Sequence, residues 1–440
     1  MRHSAMARLG IMAGLALGLL IPLTWVFGIV GERASRRNEA VTQISGTWGG
    51  PQTMGGVILA VPYTVSWIDT AGRAQRASHH VFFLPRQLQV DALVAAEIRR
   101  RGIFRVPVYR ATVKMTGTFV PPPAAAIPPA ERVDWEHATL QVGIRYPRGI
   151  VRRAVLSWRG QSLPLTGGAI DTGLWSTGLH ADLPPLDPQA RADVPFELTL
   201  DVNGTREFQI LPNADETTVS ITSAWPHPSF SGAPLPENRR VDASGFAAHW
   251  RVQDFGRAYP ATWTTQNVNR EELAARADAA AFGVALIEPV DIYQQAERAV
   301  KYAFLFIVLT FLVFFLWEVL GAASLHPLQY TFVGFAMCVF YMLLVSISEH
   351  AGFDAAYGIA SGVTTLVIAG YATSVLGGLR KGGSVLGALA GLYGFLYLLL
   401  RLEDYALLAG SVGLLVILAA VMFATRRMNW YELRVGTREW

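Results

Sequence analysis

The chain carries no charged residue from Leu9 to Val30, and five further apolar segments crowd its last third, near 300–320, 328–347, 355–376, 384–400 and 405–424. At about 1.5 Å per residue, an apolar helix of about 20 residues crosses the roughly 30 Å of a hydrocarbon core. Hydrocarbon offers no water to the peptide groups, so such segments must be helices. Composition agrees: with 52% hydrophobic and 16% charged residues, the chain is too apolar for a soluble protein of its length. The first run competes with a secretory signal. Its apolar core is longer than the roughly 7–15 residues of such signals, and no small-x-small cleavage site precedes the charged GERASRRNEA, so we read an uncleaved anchor.

Six spans follow. Arg2, Arg8, Arg380, Lys381, Arg426, Arg427, Arg434 and Arg438 fall on one side, and Arg401 alone faces them among the short loops. The positive-inside rule then predicts both termini in the cytoplasm and residues 31–298 outside. The expected division is an anchor over 1–30, a periplasmic β-rich domain over 31–298, a five-helix bundle over 299–425 and a cytoplasmic tail over 426–440. The net charge of +4 comes almost wholly from arginine, with Lys114, Lys301 and Lys381 the only lysines. No basic patch interleaves with aromatics, so no nucleic-acid partner is expected. Cys338 is the sole cysteine, which excludes a disulfide within the chain.

Between the first two spans the pattern changes to alternation. Tyr109, Ala111, Val113 and Met115 share one strand face, Leu140, Val142 and Ile144 another, and Phe196, Leu198, Leu200 and Val202 a third. The last run leads into Asn203-Gly204, a hairpin signal. An antiparallel β domain is expected, as two lobes jointed near the proline-rich 120–130 or as one large sandwich. A polar helix over 32–46 and another capped by Asn269 flank it.

Asp171-Thr172-Gly173 spells the aspartic-protease triplet, but that mechanism needs two copies sharing a proton, and one copy reads as a turn. His79 and His80 are adjacent on a strand and point to opposite faces, which disfavours a shared metal. Nothing matches a zincin, a Walker loop or a nucleophile elbow. No cofactor and no metal are therefore expected. Gly10, Gly14 and Gly18, Gly358 and Gly362, and Gly383, Gly387 and Gly391 recur at the spacing of close helix packing. Glu349, His350 and Asp354 fall in one predicted outer loop and Arg401, Glu403 and Asp404 in the other. The topology is expected to gather the six beneath the soluble domain, chiefly as solvated or docking charges. A proton-handling or ligand site is the sharper alternative, because a neighbouring carboxylate can tune a histidine near neutral pH. Glu318 and His326, at the inner helix ends, read as snorkelling or loop residues.

Several segments together resemble the CreD family of inner-membrane proteins: GERASRRNEA, WGGPQTMGGVILAVPY at 48–63, PVDIYQQAERAVKYAFLFIVLTFLVFFLWE at 289–318, HPLQYTFVGFAMCVFYMLLVSISEH at 326–350 and YATSVLGG at 371–378. Where Gly56 stands, the family pattern leads one to expect proline. The resemblance implies a Gram-negative inner-membrane protein linked to cell-envelope integrity, to the CreBC two-component system and to β-lactam stress; it supplies no catalytic residues. The leading expectation is a non-catalytic protein whose periplasmic domain contacts an envelope protein or cell-wall component while the bundle holds it in the lipid bilayer. The competing one is a membrane enzyme or a small-solute or proton transporter built on Glu349 and His350. The sequence leaves the oligomeric state open.

Overall fold

The computed structural model describes residues 5–122, 126–152, 154–288, 292–321, 325–402 and 405–426. Its helices are α1 (Ala5–Gly18), α2 (Leu20–Trp48), α3 (Arg270–Ala280), α4 (Ile292–Gly321), α5 (Pro327–Ala351), α6 (Phe353–Leu376), α7 (Leu379–Arg401) and α8 (Ala406–Thr425). Among the described residues, six helical segments are long and apolar enough to cross a bilayer: Leu9–Trp48, Ile292–Val319 and α5 to α8. The chain divides into two compact units, Met1–Asn38 with Val290–Trp440, and Glu39–Pro289.

In the helical unit, Met12, Ala16, Leu19, Leu23, Val26 and Val30 form the buried seam of the first span, packed in one core with Ala299, Ala303, Phe306 and Tyr330. The alternating steps of four and three are a heptad, the period that keeps one helix face on its neighbours. The glycines behave otherwise than expected. A Cβ built on Gly10, Gly14, Gly18, Gly358, Gly362, Gly383, Gly387 or Gly391 would meet nothing within 4 Å. These faces therefore do not pack helices of the described chain together, because the larger buried residues lie on a different face of each helix. Close approach occurs instead at Gly334 against Leu19, Gly382 against Thr373 and Gly413 against Phe395, where a Cβ would overlap its neighbour.

The second unit is a sandwich of two sheets. One has ten strands around Gln52–Ile68, which pairs antiparallel with Ala74–Phe83 and Thr139–Ile144 and parallel with Glu207–Ile210. The other has eight strands around Gln87–Arg101, Phe104–Phe119 and Val194–Thr205. A second parallel pairing, Gln87–Arg101 with Glu216–Ser223, makes both sheets mixed. Val57, Leu59 and Val61 face a core shared with Val90, Val113, Met115 and Leu198 of the opposite sheet, so one sandwich core replaces the two-lobe alternative. Ile58 and Ala60 point the other way, onto Phe82, Trp263, Leu273 and Ala277 under α3. Burial on both faces explains why this strand reads as the unbroken apolar VILAV. α3 begins as expected: the Asn269 side chain accepts from the Glu272 N–H.

The last turns of α2 belong to this unit. Val41 and Ile44 pack on Val106 and Val108. Trp48 Nε1 donates to the Tyr109 carbonyl at 3.2 Å, and the Arg99 guanidinium lies 3.6 Å over the Trp48 ring.

Asn203-Gly204 is not a hairpin. Both residues stay in the ladder opposite Arg110 and Tyr109, and the chain leaves at Arg206, with φ of 62°, to join the other sheet as Glu207–Ile210. Tertiary packing overrides the local turn signal because the buried Tyr109 ring lies on Gly204, where a Cβ would overlap the phenol. The Tyr109 hydroxyl donates to the Glu207 carbonyl at 2.6 Å, and burial holds the phenol well above its usual pKa.

The glycine assignments predict opposite signs for two substitutions. Gly334→Ala, forced against Leu19, should destabilise the detergent-solubilised protein by about 1–3 kcal/mol. Gly387→Ala, facing open space, should be neutral or stabilising by up to about 1 kcal/mol through helix propensity. Thermal unfolding of both variants checks the contrast; equal losses would restore a Gly383–Gly387–Gly391 seam.

Candidate functional site

The SISEH segment ends α5. Successive side chains on a helix turn by about 100°, so Glu349 and His350 cannot share an environment. His350 is exposed, and its Nδ1–H donates to the Ser346 carbonyl at 3.1 Å. Glu349 turns inward, its side chain only 6% exposed. Tyr293 of α4 donates its hydroxyl to Glu349 Oε1 at 3.0 Å, and Arg33 Nε of α2 lies 3.7 Å from the same oxygen. The carboxylate therefore ties α2, α4 and α5 together. This corrects one expectation: Glu349 is a sheltered carboxylate rather than a solvated loop charge, and Tyr293 and Arg33 of the helical unit are among its partners. The physical reason is that a carboxylate leaving water needs donors, and the start of α4 and the outgoing turn of α2 supply them.

Asp354 lies in the first turn of α6 and forms a second, separate group. Arg401 Nη2 at the end of α7 reaches Asp354 Oδ2 at 2.5 Å, and the Tyr397 hydroxyl donates to Oδ1 at 3.1 Å. An acid at a helix start and a base at a helix end both oppose the local helix dipole favourably. Both partners are open to water, at 51% and 57% exposure, so the pair is a surface clasp. Glu403 and Asp404 lie outside the described residues. Among the described residues no hydrogen bond or ion pair joins the Glu349 group to the Asp354 group, so the four described members of the expected six fall in separate places.

Glu318 also departs from expectation. It is 2% exposed rather than snorkelling, and it accepts from the Tyr330 hydroxyl at 3.1 Å and the Leu325 N–H at 3.3 Å. His326 caps α5: its Nδ1 accepts from the Leu328 N–H, and Gln329 returns to the His326 N–H in a capping box. These bonds join the end of α4 to the start of α5.

In the sandwich, Asp171-Thr172-Gly173 is a turn in which Asp171 Oδ1 accepts from the Gly173 N–H at 3.0 Å. His79 sits opposite Tyr63, and burial together with the neighbouring His79 keeps the His80 imidazole below its usual pKa. Among the described residues no group of three His, Cys, Asp or Glu side chains could hold a metal.

Residue-by-residue reading missed Arg33, Tyr293 and Tyr397. The signal was present in another form: GERASRR, PVDIYQQ and SISEH meet at Glu349, and FLWE and HPLQYTF meet at Glu318.

Burial ranks the two groups. Glu349→Ala, which removes a sheltered acceptor from a tyrosine and an arginine, should destabilise the helical unit by about 1–3 kcal/mol. Asp354→Ala, which breaks a water-exposed pair, should cost at most about 1 kcal/mol. Chemical unfolding in detergent measures both, and the reverse order would contradict the assignment.

A family model described as Inner membrane protein CreD matches residues 4–431. The chain is similar to Inner membrane protein CreD of Escherichia coli (strain K12), with 34% identity over 430 residues, covering 95% of this chain and 92% of that relative. With six apolar helices and a β-rich unit between the first and the second, a match from end to end shows that the chain belongs to the CreD family of multi-pass inner membrane proteins.

Proposed function

We propose that this protein is a non-catalytic component of a Gram-negative cell envelope: its β sandwich faces the periplasm, where it contacts an envelope protein or cell-wall component, and its helices hold that domain at the inner membrane. The observation that carries the reading is the insertion of the Glu39–Pro289 sandwich between the first and second of six spans. The distribution of arginines supports periplasmic exposure of residues 31–298 and cytoplasmic termini. The family resemblance supports a role in envelope integrity and a link to the CreBC response and β-lactam stress. Glu349 serves this reading as a fastener of helices, since a tyrosine, an arginine and a glutamate at the end of a bundle make a geometric clamp without a bound reactant.

The competing reading makes Glu349 a proton or substrate group of an enzyme or transporter. It is favoured by one observation, the near-complete burial of an ionisable side chain among spanning helices. The two differ in their response to an amide. A fastener needs an acceptor, and Glu349→Gln retains a carbonyl oxygen for the Tyr293 hydroxyl. A general acid or base loses about 10²–10⁴ in rate.

Complementation of a deletion strain's envelope phenotype at matched expression separates them. Glu349→Gln and His350→Gln should each keep most of the wild-type activity. A complete loss from Glu349→Gln, in protein that is folded and inserted, would overturn the fastener reading and favour the transporter or enzyme. Topology is tested independently: a reporter inserted at the Gly102 turn should be active in the periplasm and one fused after Arg427 active in the cytoplasm. The opposite pattern at either position would overturn the orientation.

A further inference from the structure

The hairpin joining Gln87–Arg101 to Phe104–Phe119 ends in a tip of one charge sign. Its sequence EIRRRGIFRV turns at Gly102, with φ of 59°, and the last ladder pairs are Ile98 with Pro107, Arg99 with Val106, Arg100 with Arg105 and Arg101 with Phe104. Like charges directly opposite each other repel, so the Arg100–Arg105 pairing costs the sheet stability. Arg99 and Arg105 are neutralised locally: Arg99 Nε lies 2.9 Å from Glu97 Oε1, and Arg105 Nε lies 2.9 Å from Glu288 Oε1. Arg100 and Arg101 are exposed and have no hydrogen bond or ion pair among the described residues. Beside them Ile98 and Ile103 are 36% and 40% exposed.

The tip follows the chain's own path toward the spans. Trp48 bonds the Tyr109 carbonyl, while Ile44 and Val41, four and seven residues earlier in α2, lie on Val106 and Val108. As α2 runs back from Trp48 toward its apolar half, the strand beside it therefore runs from Tyr109 toward Arg105 and the turn. The other connection leaves from the same place: Arg105 pairs with Glu288, and the chain reaches Ile292, the start of α4, within four residues. Glu39, where the sandwich unit begins, stands nine residues past Val30, the last of the uncharged run, which is about 14 Å of helix. From Arg105 the strand continues three residues to Gly102, about 10 Å, and the arginine side chains extend further. These lengths put the tip within reach of the headgroup layer, which adds about 5–7 Å outside each face of the hydrocarbon.

We propose that the Gly102 hairpin tip docks on anionic phospholipid headgroups of the membrane that the chain's own helices span. Arg100 and Arg101 donate their N–H groups to lipid phosphates, and Ile98 and Ile103 enter the interfacial layer beside them. Successive side chains on a strand point to opposite faces, so Arg100 and Arg101 cannot close together on one small anion, whereas a layer of headgroups meets both. The exposed isoleucines fit the same occupant, because the interface takes up apolar side chains next to charged ones. The inference goes beyond the proposed envelope role, since it concerns how the sandwich meets lipid and holds for either leaflet.

The test places full-length protein, labelled with a fluorophore at Ile103→Cys in a Cys338→Ala background, in nanodiscs whose lipids carry a quenching spin label on the headgroup. One set of discs is phosphatidylcholine alone, and the other is an equimolar mixture with phosphatidylglycerol. Quenching at residue 103 should be at least about threefold stronger in the mixed discs, because each arginine near an anionic surface favours the docked state about fivefold. A label at Thr70→Cys, in the turn that follows the other end of the Gln52–Ile68 strand, should stay unquenched in both. Arg100→Gln combined with Arg101→Gln should lower the docked population at least about tenfold and erase the dependence on phosphatidylglycerol. Both side chains are exposed and unpaired among the described residues, and the thermal transition verifies that the variant is folded. Equal quenching in the two lipid compositions, or wild-type quenching in the double variant, would overturn the proposal. Absence of quenching at residue 103 in the mixed discs would also overturn it and leave the arginines to an acidic protein partner. The readout needs no envelope phenotype, so it can fail while the proposed function stands, and the reverse.

Discussion

In hydrocarbon a peptide group has no water to bond, and this constraint divides the molecule. Each apolar segment closes its own hydrogen bonds as a helix, and the half-polar middle of the chain, with water on at least one side, forms sheets. The same scarcity of donors governs the charged residues that remain in the helical unit. Glu349 is sheltered where Tyr293 and Arg33 face it, and Glu318 where Tyr330 and the Leu325 N–H do. Each carboxylate therefore marks a place where separate helices are held in fixed relation. The Asp354–Arg401 pair, open to water, has no such obligation.

The sandwich depends on apposition of glycine with aromatic rings. Tyr109 on Gly204 sets the point where the chain passes from one sheet to the other, and the tyrosine's hydroxyl bonds the first carbonyl beyond the crossing. Trp175 on Gly55 and Gly143 shapes a cleft on the outer side of the ten-stranded sheet. Leu88 and Asn213 crowd Gly56 in the same manner, so a side chain there would have to displace them. At these positions the glycines leave room for neighbouring side chains. In the helical unit the glycines at regular spacing leave room for nothing in the described chain, and the heptad of larger residues does the packing.

The candidate site was legible in pieces. SISEH drew attention as a polar end to an apolar run, and Glu349 is indeed its structural centre. The segments that carry the family resemblance also contain its partners. Their convergence could not be read from spacing, because Arg33, Tyr293 and Glu349 are separated by the whole sandwich and by further spans. Glu318 shows the opposite error: a charge near a helix end reads as exposed until its donors are located. Asn203-Gly204 failed for a related reason, since turn propensity is a local preference of modest size and the Tyr109 contact outweighs it.

By itself the sequence determined what depends on nearest neighbours and on solvent: which segments are long and apolar enough to span, which alternate, where Asn269 caps a helix, and the order of one span, a β domain and five spans. These follow from periodicity and from the energy of moving residues between water and hydrocarbon, both properties of short stretches. Only the tertiary structure decided which helix face is buried, that Glu349 joins three helices while Asp354 pairs elsewhere, and that Trp175 rests on two glycines from different strands. Those outcomes turn on which distant residues meet. A hydrogen bond or a ring contact acts over a few ångströms in space, and the chain gives no local sign of the neighbour that folding will bring there.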